Sequence, residues 1–124
     1  MRIVLFIALF ALFGSGCAQR NALYSWGGYE SQLYAMYKDP TQAEKFRITL
    51  EAIVLESESR SQKVPPGIYA ELGTLYLQQG DTVKSLALYE KERAAWPESK
   101  GLMDSLIGVL KKRQQSSQAE GESK

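Results

Sequence analysis

The sequence contains no histidine, and its one cysteine is Cys17. Without histidine the commonest general base is missing, and Cys/His zinc sites are excluded. A single cysteine closes no disulfide within the chain. Neither sign of charge is in excess: 15 Lys+Arg stand against 14 Asp+Glu, a formal net charge of +1. Nothing in that balance steers the chain towards nucleic acid. No glycine-rich phosphate loop is present, and Ser25, Ser85 and Ser99 have no evident base beside them. No apolar run reaches the ~20 residues that a membrane-crossing helix needs. These absences point away from an enzyme. The expected sites include no catalytic residue, no metal ligand, no cofactor and no small-molecule substrate. Proline is scarce as well, four in all, and Pro40, Pro65–Pro66 and Pro97 mark boundaries between patterned segments.

What is present begins with an apolar run, Ile3–Phe13, behind the short positive start Met1-Arg2. Its length suits the apolar region of an export signal. Gly14-Ser15-Gly16 are small, as a peptidase cleft requires, and Cys17 follows at once. This arrangement resembles the bacterial lipoprotein signal, with one departure: Gly14 stands where that family usually carries Leu. The resemblance implies cleavage before Cys17 and a covalent lipid (diacylglycerol with palmitate-type acyl chains) on it. Two or more chains anchor a protein stably. The alternatives are an ordinary secretory signal cut near Gly16 and an uncut anchor. Ala18, where an Asp would retain the protein at the inner membrane, favours the outer membrane, with the domain facing the periplasm. The tether to Leu23 spans about 20 Å even when fully extended, which holds the folded part close to the membrane.

The remainder reads as helix. Tyr24, Trp26 and Tyr29 surround Gly27-Gly28; they form either an aromatic lid on the core or a patch for a partner, a role suited to Trp and Tyr. Tyr29, Leu33, Met36 and Tyr37 recur at helical spacing. Asp39-Pro40 ends that helix and starts the next. The second helix carries Ala43, Phe46, Leu50, Ile53 and Val54 on one face, and Glu56–Lys63 reads as a frayed end plus loop. Glu51, Glu56 and Glu58 read as a solvated face. Tyr24, Trp26, Gly27 and Tyr29 also fit the Tyr-x-Trp-Gly-x-Tyr motif of small Gram-negative lipoproteins of domain-of-unknown-function family 4810, which this stretch resembles. The resemblance implies a lipoprotein working beside other envelope lipoproteins, including relatives of the curli-secretion pore. It implies no known activity.

Pro66, Tyr69, Leu72, Gly73, Tyr76, Ser85, Tyr89 and Pro97 fall at the spacings of a tetratricopeptide repeat, which this segment resembles. Gly73 and Ser85 are small where two helices would cross, and Gly80-Asp81 makes the turn. Glu92 departs from the repeat's usual Ala. The resemblance implies a concave face at Gly67, Ala70, Thr74, Leu77 and Gln78. A further shift of one repeat maps onto Gly101–Arg113, the first helix of a repeat whose second is missing. There Leu102, Leu106 and Val109 are expected to pack back on the hairpin. Met103, Ile107 and Leu110 are expected to face the absent helix, covered by the N-terminal helix pair or left open for another chain.

The expected fold is all-α: a tetratricopeptide-like hairpin plus a capping helix, preceded by a helix pair. The expected organisation is a signal peptide (1–16), a lipidated tether (17–23), a helical domain (24–113) and a disordered tail (114–124), the last because it has almost no apolar residues. The expected function is a lipid-anchored, periplasm-facing module that binds an envelope protein, accessory to an outer-membrane secretion or assembly complex, with its membrane contact made through the lipid anchor. The alternative is an assembly factor that self-associates through Tyr24–Tyr29 and the Met103/Ile107 face.

Overall fold

Five α-helices and two short 3-10 turns follow one another in the computed structural model, which describes residues 23–122. Cys17, the 1–16 segment and most of the tether lie outside the described residues. The helices are α1 (Tyr29–Lys38), α2 (Ala43–Ser59), α3 (Ile68–Gln78), α4 (Thr82–Ala95) and α5 (Lys100–Glu122). Among the described residues there is no strand, and no helix is long and apolar enough to cross a membrane.

The boundaries follow from local chemistry. Asp39 accepts hydrogen bonds from the Thr41 amide (3.0 Å) and hydroxyl (2.7 Å), which caps the turn Pro40–Gln42 that leads into α2. Asp81 caps α4 by accepting from the Lys84 amide at 3.0 Å. Trp96 is extended and Pro97 opens the second 3-10 turn, so α4 cannot run on into α5. Gly67 and Gly80 bracket α3 with φ of +87° and +86°, a backbone that L side chains rarely adopt.

α3 is the centre of the molecule. It pairs with α4 as a tight hairpin on one side and meets α2 on the other, while α5 lies along α4. The hairpin closes on Gly73: a Cβ there would sit 2.9 Å from the Tyr89 ring and 3.3 Å from Leu88. Ser85, fully buried, is the small residue of the facing helix. One apolar cluster, including Phe46, Leu50, Ile53, Ile68 and Leu72, joins α2 to α3. A second joins Tyr89 of α4 to Met103, Ile107 and Leu110 of α5.

Four expectations are corrected. Met103, Ile107 and Leu110 do not face outward; they are the inner face of α5 and are 1%, 5% and 5% exposed. Their cover is the α3–α4 hairpin and not the N-terminal pair, whereas Leu102 and Val109 stand 63% and 49% exposed. Both faces of α5 are apolar, so spacing alone does not choose between them. The expected disordered tail is instead helical through Glu122. Its Gln114–Glu122 stretch is Gln, Ser, Ala, Glu and one Gly with no proline, and a helix already nucleated by packed residues propagates at little cost. α2 continues regularly to Ser59 and does not fray at Glu56, because Ser57 is buried. Tyr37, expected on the inner face of α1, is 84% exposed; Tyr29, Leu33 and Met36 make the contact.

Candidate functional site

α3 presents two faces. Ile68, Tyr69, Leu72 and Leu75 are buried. Gly67, Ala70, Glu71, Thr74 and Gln78 repeat every three or four residues along the other face, as 3.6 residues per turn requires. That second face is the floor of an open groove of about 480 Å³. Met36 of α1 and Phe46 of α2 form one wall, and Leu102, Met103 and Leu106 of α5 form the other. The structure therefore brings Gly67, Ala70, Thr74 and Gln78 together in one concavity. Leu77 is not among them; it lines a neighbouring cleft of about 440 Å³ with Leu110 and Arg113. Met103 reaches the groove wall although it is almost wholly buried, and Ile107 does not line it.

The polar groups of the groove are few. Thr74 turns its hydroxyl back to the Ala70 carbonyl (2.9 Å) and the Tyr89 hydroxyl (3.0 Å). Glu71 is the one charged residue in the lining. Its Oε2 accepts a 2.8 Å hydrogen bond from the Tyr29 hydroxyl. Burial raises the Glu71 pKa above the ordinary glutamate value, and the Tyr29 bond only partly opposes that. Tyr29 is pushed up to about 12, first by burial and then by the carboxylate it faces.

The N-terminal aromatics form a chain of ring contacts. Tyr24 meets the buried Trp96 edge-on at 5.8 Å and Trp26 at 6.5 Å; Trp26 meets Tyr29 at 5.5 Å, and Tyr29 meets Phe46 at 5.7 Å. Lys63 Nζ lies 3.8 Å over the Trp96 ring. Tyr24 and Tyr29 are thus half-buried links between the two ends of the fold, and Trp26 remains 40% exposed. Gly27 permits the turn, with φ of +47° and Ile53 directly beneath it.

Glu92 sits behind the groove. It is fully buried, and its Oε1 accepts from the Gly67 amide (2.9 Å) and the Ser99 hydroxyl (3.0 Å). The sequence shows it only as a departure from the repeat pattern. Glu71, by contrast, was detectable, since it lies four residues after Gly67 and three before Thr74 on the same helical face. Met36, Phe46, Leu102 and Leu106 reach the groove from separate helices, and no local spacing signals that convergence. Among the described residues no three His, Cys, Asp or Glu side chains gather to hold a metal ion.

A family model described as "Domain of unknown function (DUF4810)" matches residues 23–106, from the aromatic segment through the groove wall on α5. Comparison with curated proteins and with solved structures finds no match.

Proposed function

This chain belongs to the DUF4810 family, and on that footing we propose that it is a protein-docking module whose α3 groove receives a segment of an envelope protein. It acts from the outer membrane, held by lipid on Cys17 and facing the periplasm, as an accessory to a secretion or assembly complex. It performs no reaction and carries no cofactor beyond that lipid, and it has no role for nucleic acid or small-molecule substrates. The observation that carries this is the groove itself: an apolar concavity with walls from three helices, open to solvent, on a chain without histidine and with a single cysteine. Such an arrangement favours recognition over catalysis.

Site-specific photo-crosslinking in intact cells tests the docking. Probes at Thr74 and Gln78 are expected to yield one discrete adduct with an envelope protein identified by mass spectrometry. A probe at Val83, which is 73% exposed and outside the groove, is expected to yield none. Equal capture from Val83, or no capture from the groove, overturns the proposal. Labelled palmitate tests the anchor: incorporation is expected in the natural chain and absent in Cys17→Ala.

The self-association alternative loses half of its surface, because Met103 and Ile107 are core residues packed on Tyr89. Only Tyr24–Tyr29 remains of it, and there Trp26 alone is substantially exposed among the three aromatics.

A further inference from the structure

Resting on the groove as a docking site, we propose that the segment it receives is apolar and presents one lysine or arginine to Glu71. Its place singles that residue out: Glu30, Asp39, Glu92 and Glu98 also form no salt bridge among the described residues, but Glu71 alone of the charged residues lines the groove. Glu44, Glu51, Glu56, Glu58, Glu90, Asp81 and Asp104 each pair with a lysine or arginine within the chain. Glu71 forms no salt bridge among the described residues, and no basic side chain lines the groove around it. Its Oε2 is held at 2.8 Å by the Tyr29 hydroxyl, which fixes the carboxylate on the groove floor, and Oε1 has no hydrogen-bond partner among the described residues.

Three classes of occupant respond differently to that carboxylate. A wholly apolar segment would strip water from an uncompensated charge, which costs more than the apolar contact there returns. An acidic segment adds repulsion. A segment with one cation between apolar residues neutralises Glu71 in a site already partly desolvated, where a charge-assisted hydrogen bond is stronger than in water. Met36, Leu102 and Leu106 supply apolar contact on both walls. One feature thus attracts the right partner and penalises the wrong ones. Tyr29 is a positioning residue in this scheme, holding the carboxylate without touching the partner.

Selection of a random-peptide display library on the purified full chain provides the test. Glu71→Gln removes the charge and retains an acceptor for Tyr29. Gln78→Trp fills the groove from an exposed position, and melting temperatures confirm that both variants fold. Selected peptides are expected to carry a single Lys or Arg among apolar residues, to be blocked by Gln78→Trp, and to bind Glu71→Gln roughly tenfold more weakly. Peptides that Gln78→Trp blocks but that lack a basic residue, or that bind Glu71→Gln undiminished, overturn the charge inference and leave the groove standing as a docking site. Peptides indifferent to Gln78→Trp overturn the groove itself. A dimer in sedimentation that Glu71→Gln dissociates assigns the groove to a second copy and overturns the foreign partner.

Discussion

Both halves of the molecule rest on a buried apolar cluster, but they differ in what is added to it. In the α3–α4–α5 half, Tyr89 fits against Gly73 and is enclosed by Met103, Ile107 and Leu110. This is shape complementarity at close-packed density, where even one added methylene is felt. In the α1–α2 half, α1 buries no residue completely. The seam of this half with α3 adds to the apolar cluster of Phe46, Leu50, Ile53, Ile68 and Leu72 three tyrosine–glutamate hydrogen bonds: Tyr29 to Glu71 (2.8 Å), Tyr69 to Glu58 (2.8 Å) and Tyr76 to Glu51. Arg47 braces the last of these by donating to both Tyr76 and Glu51. Close packing tolerates little change, whereas the hydrogen bonds along this seam can loosen one at a time. The groove lies along the line where the two meet.

That contrast is broken or sharpened by four variants. Tyr89→Ala is expected to cost the most, about 3–5 kcal/mol of unfolding free energy in urea titration, as for other buried aromatics. A loss no larger than that of a seam variant would erase the distinction. Glu92→Ala is expected to cost about 2 kcal/mol by the same titration, because the Gly67 amide and the Ser99 hydroxyl lose their acceptor and a fully buried side chain is removed. Tyr69→Phe is expected to cost about 1 kcal/mol and to speed amide exchange in α1 and α2 more than in α4; uniform acceleration would show that the seam is no softer than the core.

The same seam has a pH signature. Tyr29 and Tyr69 are raised by burial and Tyr76 by its bond to Glu51. A tyrosine whose pKa is higher folded than unfolded contributes stability that is fully present below about pH 10 and is lost as pH rises through the folded value. Alkaline unfolding above pH 10 is therefore expected to be shallower in Tyr69→Phe than in the natural chain. The smallest effect is expected from Lys91→Ala, which breaks the exposed bridge to Glu58: no more than about 0.5 kcal/mol, vanishing in high salt.

The sequence was legible where backbone chemistry is local. Pro66, Gly73, Gly80-Asp81 and Pro97 each constrain φ, ψ or close approach at their own position, and the α3–α4 hairpin follows from them. Four groove residues on α3 were legible for the same reason, being one face of one helix. α5 was not, since Leu102, Met103, Leu106, Ile107, Val109 and Leu110 make it apolar on two faces, and only the position of Tyr89 selects which is buried. Tyr37 misled similarly: it keeps helical spacing but falls on the edge turned away from α2. The helical extension past Gln114 was missed because low hydrophobicity predicts lack of burial, and an exposed helix needs none.

Glu92 has one more consequence. Its carboxylate grips the first residue of the groove floor through Gly67 and, through Ser99, the turn that launches the opposite wall. It works as a calliper set from behind, gauging the distance between α3 and α5. On the proposed docking role, a substitution there would alter what the groove accepts without touching the guest.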